Sequence, residues 1–346
     1  MLPEENTQSL RSGIVRIDQR NAPDDVMEEL ALHILLLMKE RNPEYPLLPM
    51  EELIKNLRHP PEETMEVGFW TICAGKRVVA KATGWVNLTE YEIPTMMSTI
   101  TVLPEYRRKG LATQLLEPLK DFARQHGKST LILESTDRQP SGREFLTHIR
   151  AEEGLVGHVN RLDLSDLNRN LMQEWIWKAN ERVEGFSLLF FEGVPSEHLM
   201  DSYCQMYTHI IETQPTGSIQ FPFKVFTPEL VRELFKVDEN AGRRFWSLVA
   251  IEDATGRIIG YTEVVFHPGL PQLITQGGTC VFTEYRNRGI GRWLKASLVV
   301  KLVNEVPEAH WITTSNADVN ASMLKINYEM GFKPCEATAF WQYQIP

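Results

Sequence analysis

Glu284-Tyr285-Arg286-Asn287-Arg288-Gly289-Ile290-Gly291 stands between an alternating apolar run at 273–282 and a helical pattern at 293–303. A strand, a basic glycine-bearing turn and a helix, in that order, make an anion cradle. Glycine lets the backbone approach a ligand, the first helical N–H groups point outward unpaired, and the helix dipole adds partial positive charge. Arg286 and Arg288 bring full charges to the same spot.

The pattern occurs a second time. Glu105-Tyr106-Arg107-Arg108-Lys109-Gly110-Leu111-Ala112 lies 179 residues earlier (284 − 105), with an apolar-rich run at 96–103 before it and a helical pattern after it. A solenoid unit is roughly 20–50 residues, so this repeat is the length of a domain. At 346 residues the chain exceeds the size at which one core stops growing. Two units are predicted, 1–165 and 170–346, joined through a polar stretch at 163–170.

The spacing Arg286-x-x-Gly289-x-Gly291 resembles the acetyl-coenzyme A loop of the GNAT acyltransferases. The segment from Asn316 to Gly331-Phe332 looks like the strand, helix and closing Gly-Phe that follow that loop in the same superfamily. The doubled layout resembles that of mycothiol synthase-like acetyltransferases. The resemblance implies an α/β fold of two tandem GNAT-like domains, each a mixed, mostly antiparallel sheet flanked by helices. It also implies acetyl-CoA as the cofactor.

By the same resemblance, the strand ends Thr279, Cys280, Val281 and Ile100, Thr101, Val102 offer backbone groups to the pantetheine arm and acyl carbonyl. Arg286, Asn287, Arg288, Gly289, Ile290 and Gly291 hold the pyrophosphate in the second half; Arg107, Arg108, Lys109, Gly110, Leu111 and Ala112 do so in the first. Asn316 and Asn320 either cap the following helix or touch the coenzyme.

Acyl transfer to an amine needs a route for the amine's proton and an acid for the leaving thiolate. Many GNAT enzymes carry a Glu about six residues before the strand-end valine, but Met96 and Thr275 stand there in this chain. The nearest carboxylates are Glu92 and Glu263. Glu263 lies in the apolar run 261–266, where it is either a base with raised pKa or a water-facing side chain. The position of the usual acid Tyr is Asn327, with Tyr328 one step on and so roughly 100° around the helix. Glu263 and Tyr328 are the catalytic candidates. Cys280 is read as packing rather than as an acyl relay. The first half departs further from the pattern, since Glu153-Gly154-Leu155 replaces the closing Gly-Phe, so catalysis is expected in the second.

Composition narrows the classes. A net charge of −10 argues against a general nucleic-acid binder. Cys73, Cys204, Cys280 and Cys335 stand singly, with no metal-ligand spacing, so no metal is expected and reduced thiols are. Glu4 and Glu5 occupy the place of a basic signal region, and no apolar run nears the ~20 residues of a membrane span. A cytoplasmic monomer or homodimer is expected.

Several elements are also expected. Residues 1–12 read as a loose tail, 113–125 and 293–303 as the helices leaving the loops, 214–224 as a long loop forming part of the acceptor pocket, and 339–344 as the last strand. The functional expectation is an N-acetyltransferase that moves an acetyl group from acetyl-CoA to a small amine by direct transfer. The alternatives are a non-catalytic acetyl-CoA sensor or scaffold, and a protein N-acetyltransferase.

Overall fold

The computed structural model describes residues 13–60, 64–89, 92–182, 184–222 and 225–346. The tail at 1–12 and the end of the 214–224 loop lie outside the described residues.

The first half runs β1 (Val15–Arg16), α1 (Asp24–Arg41), α2 (Met50–Leu57), β2 (Met65–Ala74), β3 (Arg77–Asn87), β4 (Thr95–Val102), α3 (Leu111–Gln125), β5 (Thr130–Thr136), α4 (Ser141–His148) and β6 (Glu152–Asp163). The second half begins with α5 (Arg169–Arg182), β7 (Phe186–Glu192), α6 (Glu197–Thr213), α7 (Pro228–Asn240), β8 (Arg244–Glu252) and β9 (Arg257–Phe266). It closes with β10 (Leu273–Val281), α8 (Ile290–Glu305), β11 (Trp311–Ala317), α9 (Ala321–Met330) and β12 (Lys333–Gln344).

All twelve described strands join one sheet in the order β1-β2-β3-β4-β5-β12-β6-β11-β10-β9-β8-β7. Its pairs are antiparallel except β4 with β5 and β10 with β11. The halves are related about the central β12–β6 pair, and they exchange their last strands. β12 of the second half pairs with β5 of the first, while β6 of the first half pairs with β11 of the second.

Helices cover both faces. In the first half α3 packs Leu115, Leu116, Leu119 and Phe122 on β2 to β5, and α1 packs Met27 and Leu30 on the other face. In the second half α5, α8 and α9 share one core with β8, β9 and β11, while α6 and α7 bury Met200, Tyr203 and Phe235 against the reverse side of β8 and β9. The α3 side chains recur at three- and four-residue intervals as one apolar stripe, whereas α8 buries the consecutive Trp293, Leu294, Lys295 and Ala296 and so is enclosed on more than one side.

Local expectations shift at the helix starts and at the last strand. α3 and α8 start at Leu111 and Ile290, two to three residues early, because Gly110 and Gly289 cap them in the left-handed region. Pro118 sits inside α3 without ending it. β12 starts at Lys333, since Pro334 is accommodated at a register break between Pro334 and Glu336.

The 214–222 segment is a loop, as expected, and it reaches beyond its own half. It lies across the first half: Gln220 O accepts from Thr95 Oγ1 at 2.6 Å, Ser218 N donates to Gly154 O at 3.1 Å, and Gln342 Nε2 donates to Ser218 O at 3.0 Å. The loop between α1 and α2 reaches the opposite way, with the Tyr45 ring tilted against Trp311 of β11 at 5.4 Å between centroids. Each half's early loop thus grips the other half's strands.

Candidate functional site

The two loops fold alike. A single helical turn (Pro104–Tyr106; Thr283–Tyr285) leads to an extended arginine, then a left-handed residue, then the left-handed glycine that opens the helix. Arg108 has φ 62° and Asn287 φ 64°; Gly110 has φ 76° and Gly289 φ 87°. No atom stands within 4 Å of a Cβ built on Gly110 or Gly289, so backbone conformation rather than crowding requires glycine there. Trp293 N donates to Gly289 O, which leaves the earlier amides of α8 without a helical acceptor.

The strands beside the loops splay. β4 pairs with β5 only over Thr95–Met97, and β10 with β11 only over 273–275. Past those points the neighbouring strands no longer pair, and in the first half a wedge opens in front of the loop. In the first half the wedge is a cavity of about 380 Å³. Ile100, Thr101, Val102, Arg107, Arg108, Gly110, Leu111 and Ala112 all line it, opposite Leu133 to Thr136 and α4. Lys109 is the exception in that block; its ammonium lies 4.9 Å over the Tyr106 ring, outside the lining.

Among the loop arginines, Arg107 departs from the free phosphate-binding charge expected of it. Arg107 Nε donates to Val102 O at 3.0 Å, and Arg286 Nε donates to Val281 O at 2.9 Å. Each braces its own strand end to the loop. Arg107 also forks onto Glu40 of α1 at 2.6 Å through both terminal nitrogens, so its charge is neutralised inside the cradle. Arg286, Asn287 and Arg288 are exposed, and Arg288 lies 5.6 Å over the Tyr285 ring. Arg108 is exposed and pairs with Glu144 at 3.3 Å.

Leu111 and Ile290 are buried core side chains. A Cβ built on Gly291 would lie 3.8 Å from Ile326 Cδ1 and 4.0 Å from Val281 Cγ2, ordinary van der Waals contact. Asn320 accepts from Met323 N at 3.3 Å and is the N-cap of α9. Asn316 Oδ1 accepts from Asn327 Nδ2 at 2.8 Å and from Asn160 Nδ2 at 3.3 Å, tying β11 to α9 and β6.

The catalytic pair drawn from the sequence is not brought together. Tyr328 is 49 % exposed on the outer side of α9, while Asn327 is fully buried on the inner side. Their separation around the helix leaves room for only one of them inside, and the smaller amide takes it.

Glu263 is different. It is 7 % exposed, and burial pushes its pKa up to about 7 against the lowering effect of hydrogen bonds from Tyr207 and Gly278. Gly278 N donates to Oε1 at 3.0 Å, and the Tyr207 phenol donates to Oε2. The contact with Gly278 falls at a bulge in β10, where the ladder to β9 breaks between Gln276 and Thr279. Thr279, Cys280 and Val281 follow directly, so the carboxyl stands at the head of the strand end that leads into the loop. Thr279 Oγ1 is 2.8 Å from Thr262 Oγ1, and burial raises the Cys280 thiol, which keeps it protonated.

Residues missed from the sequence complete this corner. A Cβ on Gly277 would lie 2.4 Å from Glu263 Oε1, and one on Gly278 would lie 1.9 Å from the Tyr261 hydroxyl. The Gly-Gly step therefore exists to admit two side chains. Two glycines inside an apolar strand were the available signal. Tyr203 and Tyr207, one helical turn apart on α6, are the other.

Among the described residues no group of three or more His, Cys, Asp or Glu side chains is placed to hold a metal, and no helix is long and apolar enough to cross a membrane.

Residues 33–148 match the model of the acetyltransferase (GNAT) family. The fold of the whole chain is similar to a tandem GNAT protein from the clavulanic acid biosynthesis pathway. That match has a TM-score of 0.76 at 20% identity, covering 96% of this chain and 98% of that one. A GCN5-related N-acetyltransferase from Sphaerobacter thermophilus matches with a TM-score of 0.64 at 14% identity, covering 96% and 95%. Among curated proteins no sequence matches the chain. Residues 33–148 thus match the acetyltransferase (GNAT) family, and the fold of the whole chain is similar to that of a tandem GNAT protein.

Proposed function

We propose that the protein transfers an acetyl group from acetyl-CoA to the amine of a small molecule, directly and in a ternary complex, with the proton chemistry in the second half. The observation that carries this reading is Glu263. A carboxyl with pKa about 7, sealed between Tyr207 and the Gly278 amide at the head of a splayed strand, suits a base working at neutral pH. An amine arrives largely as ammonium and must lose a proton before it can attack.

Acetyl-CoA, when bound, supplies the activated acetyl thioester. The cradle residues fit such a ligand. The outward amides at the start of α8, with Asn287 and Arg288 beside them, suit a diphosphate. Thr279, Cys280 and Val281 offer backbone groups on the side of β10 that no longer pairs with β11. In the first half the 380 Å³ cavity behind Gly110 to Ala112 is within the range of small-ligand sites.

The two halves divide the work in this reading. Counting from the strand-end pairs (Val102 with Ala80, Val281 with Gly260), the position of Glu263 is Thr83 in the first half. That half has the cradle without the carboxyl. It supports a holding role, in which acetyl-CoA binds and is not consumed. If the second half behaved likewise, the whole chain would be a sensor rather than an enzyme.

The test is release of free thiol from acetyl-CoA in the presence of an amine panel. Amine-dependent release is expected, reduced about 10²–10⁴-fold by Glu263→Gln. Calorimetry is expected to give two coenzyme sites, with Gly289→Glu abolishing one by setting bulk and negative charge in the second cradle, and Gly110→Glu abolishing the other. No turnover with intact binding would leave the sensor; neither turnover nor binding would end the reading.

A further inference from the structure

We infer that Tyr207, backed by Tyr203 and Ser247, is a positioning residue that fixes the Glu263 carboxylate against the Gly277–Gly278 bulge. The inference deepens the reading of Glu263 as the base and rests on it.

The four side chains form one buried series of hydrogen bonds. Tyr207 Oη donates to Glu263 Oε2, Tyr203 Oη donates to Tyr207 Oη at 3.4 Å, and Ser247 Oγ lies 3.2 Å from Tyr203 Oη. A carboxylate only accepts, so it sets the direction of the whole series. Tyr207 spends its proton on Glu263, Tyr203 spends its own on Tyr207, and the Ser247 hydroxyl is left to donate to Tyr203. Tyr203 and Tyr207 are four residues apart on α6, which puts both phenols on the face toward the sheet.

The other carboxyl oxygen takes the Gly278 amide, so both oxygens are held and the carboxyl plane is fixed. A proton wire needs an end in water, but Ser247 and Tyr203 are both fully buried. The series is therefore a clamp: it orients Glu263 and favours its ionised form, and it carries no proton away.

The surroundings oppose ionisation. Asp238 near the end of α7 adds negative charge, although Arg243 pairs with it at 2.7 Å. Tyr261 on the same strand and Cys280 on β10 are the other titratable neighbours, and burial holds both neutral. Against burial and Asp238, the donors from Tyr207 and Gly278 are what keep the carboxylate accessible near neutral pH.

The experiment follows two readouts on the full-length protein and on Tyr207→Phe, Tyr203→Phe and Ser247→Ala. One is the pH dependence of amine-dependent thiol release. The other is the titration of the Glu263 carboxyl by carbon-13 NMR, assigned by its loss in Glu263→Gln. Phenylalanine keeps the ring that packs on Phe226 and Tyr261 at 5.2 and 5.1 Å, so Tyr207→Phe is expected to fold, which circular dichroism checks.

Removing the phenol is expected to move the carboxyl midpoint and the acidic limb of the rate profile upward together, by about one pH unit. Tyr203→Phe should move both in the same direction by less, and Ser247→Ala by least. An unchanged carboxyl midpoint in Tyr207→Phe, or equal shifts from all three variants, overturns the clamp. Should the wild type show no turnover at all, the enzyme reading falls, and the carboxyl titration alone still decides for or against the clamp.

Discussion

Glu263 illustrates how one side chain couples stability to chemistry. Its folded pKa of about 7 lies above the ordinary 4.5, so the folded state binds the proton more tightly than the unfolded chain does. Stability from this group is full below pH ~4.5 and is lost as pH rises toward 7; above that the loss is constant. The shift corresponds to about 3 kcal/mol. Glu263→Gln removes the titration and keeps the shape. It is expected to raise Tm at pH 8 and leave it nearly unchanged at pH 4.5, as read by thermal unfolding at both pH values. A variant that gains stability while losing turnover is the mark of a site strained for function; equal Tm changes at both pH values would contradict the buried, raised carboxyl. From the sequence, Glu263 was visible as a carboxylate in an apolar run, but its inward direction was not. Alternation placed it on one face of β9, and only the packing of α6 with Tyr203 and Tyr207 made that face dry.

At the scale of elements, the strand-loop-helix unit is the part the chain writes most locally. A left-handed glycine, a helix start and a basic turn are set within eight residues, which is why both cradles were legible. The bulge in β10 is written less openly. The Gly-Gly step carries two side chains that a Cβ would strike, so Gly278→Ala is expected to destabilise the protein by more than ~2 kcal/mol. Since the nearest clash is with the Tyr261 hydroxyl at 1.9 Å, adding Tyr261→Phe should recover part of that loss in chemical denaturation. Additive losses in the double variant would show that the bulge is not shaped around Tyr261. α9 taught the reverse lesson. Its cap at Asn320 was readable, but which of Asn327 and Tyr328 turned inward depended on the space left by β6 and β11.

At the scale of the molecule, the exchange of β6 and β12 governs how the halves depend on each other. Cutting the chain near 165–170 leaves β5 without β12 and β11 without β6, exposing open strand edges rich in apolar residues such as Leu131, Ile132 and Leu133. The buried Glu233 of α7, which accepts from Thr64 N at 2.7 Å, and the loop laid over Thr95 and Gly154 would be lost as well. Fragments 1–165 and 170–346 are each expected to be insoluble or unfolded alone and to assemble into a folded complex when co-expressed. Size-exclusion chromatography with circular dichroism distinguishes this from two independent domains, either of which would fold by itself.

The amino-acid order alone determined the doubling of the cradle and the α/β class, because both rest on short-range patterns: a repeat of eight residues, alternation in strands and glycine at left-handed positions. Tertiary structure alone decided which side chains meet. The partnership of Glu263 with Tyr207, 56 residues away, the neutralising of Arg107 by Glu40, 67 residues away, and the trade of terminal strands between halves all join residues far apart in the chain. Such contacts depend on how helices settle on a sheet and on which strand fills the space beside another, and no local pattern encodes either.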